Sequence, residues 1–379
     1  MKILLTELGN AVNAQGGIEK VICNMANAFT KRGHEVAIMV FDKREGGMAF
    51  PLDNRVKFLN PGAGNRISRT WVNILNIFRK GKWNKEAAQH RHLTNKMAKV
   101  IAPVINELKP DIIIGHDLKS AIIFNDYIVE RAPYISLFHF SPEITLENPN
   151  FRSCFKNVNG IVVLLPSFVQ RVQNMTHNNN VFVIPNIVPQ YDEVADYSAK
   201  TIVNVARIER KSKRQMDIVE AFNKLQKDFL DWHVEFWGDT NFDKTYFAEL
   251  QQKVQEYGLQ DKIIFGGKTD KVSAKLKQAS VFAFPSEYEG FPLAMTEAMS
   301  MGLPAVGYKT CSAVNEIIKD GENGYLCDFT VDSLTDKLRQ LMQDEDLRRK
   351  LGTQAKKDMQ QYDENKIWDE WEKLGRKFL

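Results

Sequence analysis

Cysteine is scarce in this chain of 379 residues: Cys23, Cys154, Cys311 and Cys327 stand far apart and form no CxxC pair. That spacing excludes a zinc ribbon and a disulfide framework, and it suits a reducing compartment. Long hydrophobic runs are missing as well. No apolar stretch approaches the roughly 18 residues of a membrane span, and MKILLTELG is too short an apolar start for a signal peptide, so the expectation is a cytoplasmic protein that is neither spanning nor exported. No internal repeat, low-complexity tract or GxGxxG run is present, and the last of these absences counts against NAD. A net charge of only +4 does not point to nucleic acid, and no nucleic-acid recognition motif accompanies it.

What the chain has is regular alternation. At 379 residues it is too long for one ordinary core, so two domains are expected. Short apolar runs recur as strand candidates: Lys2 to Thr6, Val36 to Val40, Ile112 to Ile114, Tyr134 to Phe138, Gly160 to Leu165, Val181 to Ile184, Thr201 to Ala206, His233 to Trp237, Ile263 to Phe265, Val281 to Phe284 and Pro304 to Tyr308. Helical patterns separate them, as in Ile18, Val21, Ile22, Met25, Ala26 and Phe29. Strand and helix alternating in both halves predicts an α/β protein of two doubly wound parallel-sheet domains facing across a cleft. The polar run VPQYDEVADYSAK reads as the linker between a first domain, 1–192, and a second, 193–365. The terminal segment 366–379 carries Ile367, Trp368, Trp371 and Leu374 at helical spacing.

The stretch from Val281 to Pro304 organises the second half. It reads as a strand, a tight loop from Pro285 to Phe291, and a helix from Pro292 to Met301 that Gly302 and Pro304 end. Amides at such a helix start favour a phosphate, and those of Gly290, Phe291 and Leu293, beside Pro292, are the candidates. Two acids bracket the site. An ionised carboxylate only accepts hydrogen bonds, so beside a diphosphate its use is to hold hydroxyls: Glu297 those of a ribose, Glu289 those of a hexose. The plainer reading makes both acids complements of the helix dipole.

Other candidates sit at strand ends. Gly16 and Gly17 follow the first strand, where bare backbone can approach a ligand or simply make the turn. Gly238 and Gly267 occupy the same place in the second half. Arg207, Lys211 and Lys213 lie between a strand and a helix, where two cations would stabilise charge growing on a departing diphosphate, or where lysines merely face solvent. His116 and His139 end strands, where open parallel sheets bind ligands; His116 reads as a structural hydrogen-bonder. Asp344-Glu345-Asp346 mimics a metal-binding DxD, yet it precedes LRRKLG as a helix cap does, so no catalytic metal and no cofactor are expected.

One segment departs from the average. Between Asn65 and Val100 nine basic residues stand against Glu86 alone, with Trp71, Ile74, Leu75 and Phe78 on one helical face. Such a helix suits an anionic membrane surface, or an apolar face in the core with its charges solvated.

The segment SEYEGFPLAMTEAMSMGLPAV resembles the donor-site signature of retaining glycosyltransferases of family 4, of GT-B fold. The resemblance extends over GG-x-E and KRGHEV near the start, KRQMDIVEAF, and NEIIKDGENG near the end. It implies a retaining transferase moving a hexose or N-acetylhexosamine from a nucleotide diphosphate sugar, UDP above all, to a saccharide or lipid-linked acceptor of a bacterial surface polysaccharide or lipopolysaccharide. It also implies donor contacts at Glu289 and Glu297, a histidine, His139, approaching the reacting sugar, a phosphate-binding pair Arg207 and Lys213, and a C-terminal helix, 366–379, returning to the first domain. The family places four residues between that arginine and lysine; here five separate Arg207 from Lys213 and three separate it from Lys211. A nucleotide-sugar epimerase of the same fold, or a non-catalytic partner of another transferase, would carry the same architecture.

Overall fold

The computed structural model describes residues 1–14, 16–64, 82–128 and 132–379, with the backbone alone for 82–90. They form two units, Met1–Pro185 together with Trp368–Leu379, and Asn186–Ile367.

The first unit is built on β1 (Lys2–Glu7), β2 (Glu35–Val40), β3 (Lys57–Leu59), β4 (Ile112–Gly115), β5 (Tyr134–Leu137), β6 (Gly160–Val163) and β7 (Val181–Val183), in the sheet order β3-β2-β1-β4-β5-β6-β7. Every pairing is parallel. A parallel sheet is covered on both faces, so its strands read as unbroken apolar runs, and Leu4, Leu5, Ile113, Ile114, Ile135 and Ile161 are buried. The helix Gly17–Lys31 buries Ile22, Met25, Ala26 and Phe29 and ends before Gly33 in the left-handed region, as helix C-termini commonly do. The chain's last helix, Glu364–Lys377, contributes Trp368 to the Phe29 ring at 5.5 Å, and Asp369 to Arg32 at 2.7 Å. Residues from Trp368 onward therefore pack on the first unit, as the resemblance implies.

The second unit carries β8 (Thr201–Val205), β9 (His233–Trp237), β10 (Ile263–Gly267), β11 (Val281–Phe284), β12 (Ala305–Tyr308) and β13 (Gly324–Cys327), ordered β10-β9-β8-β11-β12-β13 and again all parallel. Its core joins Ile202, Phe222, Trp232, Phe236, Val281 and Leu338. Both sheets are doubly wound: strand order reverses between β1 and β4 in one and between β8 and β11 in the other. Those reversals open crevices beyond the carboxyl ends of the strands, where such sheets bind ligands.

Several boundaries differ from the sequence expectation. Residues 188–200 are no loose linker: Val188 donates to the Tyr362 carbonyl, Ala195 to that of Met301 and Asp196 to that of Lys277, while Arg348 reaches the Tyr197 carbonyl. These backbone bonds place the division after Pro185 rather than at 192. The helix expected from Pro292 to Met301 runs from Leu293 to Ser300, with Pro292 as its N-cap. Strands β3 and β13 escape the sequence because KFL and GYLC lie at sheet edges, where partly exposed residues replace an unbroken buried apolar run. Of the basic segment, residues 65–81 lie outside the described residues, and with them the proposed membrane-facing side chains Trp71, Ile74, Leu75 and Phe78. The rest of that segment belongs to a single helix, Lys82–Leu108. Among the described residues no helix is long and apolar enough to cross a membrane.

Candidate active site

In the second unit the loop after β11 and the turn after β8 meet at the point where strand order reverses. The Glu287 amide donates to the Ser212 carbonyl at 2.9 Å, tying the two segments together. The turn is shaped by a four-residue helix, Arg210–Lys213, after which Arg214 adopts φ 51° before the helix Gln215–Leu225 begins. This turn delivers Lys213 to Glu289: Nζ lies 2.5 Å from Oε1, with side chains only 15% and 11% exposed. An ammonium has three donors, so two remain to meet an anion. Lys211, two residues earlier, is exposed.

Arg207, at the end of β8, bonds Glu209 through Nε (2.9 Å) and Nη2 (2.7 Å) and stacks over Phe242 at 4.5 Å. Glu209 Oε2 also accepts from the Ser212 hydroxyl at 2.7 Å. Arg207 and Lys213 are thus fixed on one turn by separate carboxylates. The Leu293 amide donates to the Phe291 carbonyl at 2.8 Å, which withdraws it from the expected phosphate cradle. No partner is seen among the described residues for the amides of Gly290 and Phe291. Glu297 lies on the following helix, half-buried, and Oε1 accepts from the Tyr191 hydroxyl at 2.5 Å. Burial first, then this carboxylate, raises the Tyr191 phenol pKa, which keeps Tyr191 a donor.

Gly238 and Gly267 sit at the ends of the neighbouring strands and are joined by the Gly238 amide to the Gly267 carbonyl at 2.8 Å. Gly238 has φ 153°, and a Cβ there would lie 2.0 Å from the Ala206 carbonyl oxygen. The strand ends themselves therefore demand glycine at this position, whatever binds there. Gly267 has φ 70° and open space beside it.

In the first unit, Gly16 caps the helix Gly17–Lys31, and a Cβ on it would fall 2.3 Å from Glu19 Oε2; nothing lies within 4 Å of the same position on Gly17. The Gly-Gly pair thus makes room for a glutamate on one side and is open on the other. His116 Nδ1 and His139 Nε2 are 2.9 Å apart, with the rings stacked at 5.1 Å. Burial lowers His139 to about 4, and His116 is pushed well below its ordinary value by burial and by its neighbour. Both imidazoles are neutral near pH 7, one donating to the other. Asp344 caps the helix Glu345–Met359 by accepting from the Leu347 amide, as a capping residue does. No cluster of three or more potential metal ligands occurs among the described residues.

The family model for Glycosyltransferase Family 4 matches residues 15–190, and that for Glycosyl transferases group 1 matches residues 192–358. In three dimensions the chain is similar to a TarM variant of S. aureus solved with fondaparinux, α-GlcNAc-glycerol and UDP, with a TM-score of 0.75, 99% of each chain covered and 15% identity. The chain belongs to the GT-B glycosyltransferases. This glycosyltransferase is 31% identical over 179 residues to the N-acetyl-α-D-glucosaminyl L-malate synthase of Bacillus anthracis, over 47% of this chain and 45% of that one. Against the amylovoran biosynthesis glycosyltransferase AmsD of Erwinia amylovora it is 23% identical over 375 residues, 96% of each chain.

Several residues at the carboxyl edges of the glycosyltransferase's sheets were missed by sequence reasoning. Tyr191 lies in a stretch whose polar composition hides it. Cys311 is buried near Glu289, and its thiol is pushed up to about 11 by burial and that carboxylate. Glu7, ending β1, is 8% exposed, and its Oε2 has no partner among the described residues; burial, then Glu19 and Asp117, raise its pKa to about 8. Its only signal is an acid closing an otherwise apolar strand.

Proposed function

We propose that this glycosyltransferase moves a hexose or N-acetylhexosamine from a nucleotide diphosphate sugar, UDP the favoured one, to an acceptor hydroxyl with retention of configuration. The observation that carries the reading is the Lys213–Glu289 pair beside the amides of Gly290 and Phe291, at the crevice between β8 and β11. Lys213 and Arg207 take the diphosphate, Glu289 and Glu297 accept from sugar and ribose hydroxyls, and Gly267 lets the nucleotide lie near the strand ends. The bond from the anomeric carbon to the phosphate oxygen breaks as the acceptor oxygen attacks the same face, and the acceptor proton passes to the departing phosphate. Cations aimed where this charge grows are the largest source of rate in such a scheme, and they supply it without a metal.

The UDP bound to the TarM variant supports the donor class. The names of AmsD and of a lipopolysaccharide 1,6-galactosyltransferase of Salmonella typhimurium, 23% identical over 335 residues, support a place in bacterial surface polysaccharide assembly. Thermal shift against a panel of nucleotide sugars tests the donor, since a ligand of the folded state raises apparent stability. The anomeric configuration of the product, read by NMR, tests retention. An epimerase would return the epimeric nucleotide sugar, or UDP and free sugar where water takes the glycosyl group, with no other acceptor needed, whereas a transferase depends on one. Association of residues 65–100 with an anionic membrane is tested by pelleting with phosphatidylglycerol vesicles at low salt; a chain left in the supernatant excludes it.

A further inference from the structure

Among the described residues, Asn13, Lys109, His177 and Arg214 take a positive φ although none is glycine. Of these only Arg214, at φ 51°, belongs to the second unit, and it follows Lys213 directly. A Cβ makes the left-handed region unfavourable for any residue but glycine, so the Arg214 backbone needs something to hold it. Its side chain supplies that. Nε donates to Asp217 Oδ2 at 2.9 Å and Nη2 to Asp217 Oδ1 at 3.3 Å, the guanidinium lies 4.5 Å over the Phe329 ring, and Nη1 is 3.8 Å from Glu287 Oε2.

The clamp is itself braced. Tyr308, fully buried at the end of β12, donates to Asp217 Oδ2 at 2.6 Å, and its ring meets that of Phe329 edge-on at 4.9 Å. Arg214 thus ties together the start of the helix Gln215–Leu225, the end of β12 and the loop that carries Glu287 and Glu289. The helix Arg210–Lys213 has four residues, too few to be stable alone, so the direction of Lys213 is set by the residue that ends it. Two plainer roles compete with this one. Asp217 in the first turn of its helix suits the dipole, and the Arg214 charge could meet an anion directly.

We infer that Arg214, clamped by Asp217, Tyr308 and Phe329, is a positioning residue that holds the left-handed turn presenting Lys213 to Glu289 and to the diphosphate of the donor. The inference rests on the donor reading above and adds to it the device that aims the lysine. Glycine reaches the same backbone conformation without a side chain to hold it, and this separates the clamp from both rivals.

Calorimetric titration of the full chain with UDP tests it. Arg214→Ala keeps the Cβ and loses the clamp, so it should weaken UDP by about tenfold or more, whereas Arg214→Gly should stay within about threefold of wild type. Asp217→Asn should weaken UDP as Arg214→Ala does, yet cost less than about twofold in the Arg214→Gly background, because there the clamp has nothing left to hold. Arg214→Ala should likewise add less than about twofold to the loss in Lys213→Ala, through which it acts. Circular dichroism checks each fold; should Asp217→Asn misfold, Tyr308→Phe removes one hydroxyl and takes its place. Equal losses in Arg214→Ala and Arg214→Gly, wild-type affinity in Arg214→Ala, or an Asp217→Asn loss undiminished in the Arg214→Gly background overturns the inference. Absence of UDP binding by the wild type, or wild-type affinity in Lys213→Ala, overturns the donor reading and the inference with it; a loss in Lys213→Ala with none in Arg214→Ala overturns the clamp alone.

Discussion

The two sheets end in opposite electrostatic environments. At the carboxyl edge of the second unit the ionisable groups are paired as ions: Arg207 with Glu209, Lys213 with Glu289, Arg214 with Asp217. At the same edge of the first unit three groups are held in neutral form by burial: Glu7 is raised to about 8, His139 is lowered to about 4, and His116 is lowered well below its ordinary value. The topology of the two reversal points is the same, so the difference comes from side chains and solvation. One edge is suited to phosphate, the other to hydroxyls.

Removing a cation from the charged edge should have the largest effect. Arg207→Ala and Lys213→Ala are each expected to lower turnover by about a hundredfold or more, the usual size of a lost transition-state donor. Steady-state rates of UDP release in the presence of acceptor would show it. Full turnover in Arg207→Ala removes that residue from the mechanism and leaves its Glu209 bond a surface ion pair.

At the neutral edge the expected effects are on stability and carry a definite sign. Glu7 keeps its proton in the folded chain up to about pH 8, whereas the ordinary value is 4.5. Between these values the folded state binds more protons than the unfolded one, so stability falls as pH rises. Glu7→Gln should leave pH 5 stability nearly unchanged and gain on the order of a few kcal/mol at pH 9. Hydrogen exchange of the β1 and β4 amides reads the first unit separately, which matters because a two-unit chain need not unfold in one step. Parallel pH profiles for wild type and Glu7→Gln would falsify a proton held by Glu7. The histidines act in the other direction. The unfolded chain takes up protons below 6.5 and the folded chain does not until about 4 at His139, so stability is lost as pH falls through that window. His139→Asn should flatten this acid limb; if the limb persists unchanged, other groups cause it.

Much of the architecture is legible because parallel strands covered on both faces must be apolar throughout. VFAF and IIIG announce themselves, and each is followed by residues that cannot continue a strand. KFL and GYLC do not, and both form the edges of their sheets. The acids Glu289 and Glu297 are legible from a loop and helix whose spacing is local. Their partners are not: Lys213 is 76 positions from Glu289 and Tyr191 is 106 from Glu297, distances that only the fold closes. The neutral state of Glu7 is equally hidden, since desolvation depends on what packs above the strand end rather than on the strand itself. Pro292 shows the limit for local signals, as a proline that starts a helix can stand at the cap or inside the first turn.

The smallest expected effect discriminates between the two lysines that sequence spacing leaves open. Lys211 is exposed in the helix Arg210–Lys213 and has no ion pair among the described residues, whereas the left-handed turn at Arg214 comes directly after Lys213, which reaches Glu289. Lys211→Ala should change turnover by less than about twofold, as surface charges away from a reacting centre usually do. Lys213→Arg should recover little of the loss seen in Lys213→Ala, because a planar guanidinium cannot replace a compact ammonium wedged between a carboxylate and the Phe284 ring at 5.5 Å. A Lys211→Ala defect as deep as that of Lys213→Ala would reverse the assignment. The Lys213–Glu289 bond would then be a structural brace for the loop, and the phosphate charge would be met from the solvent side of the turn.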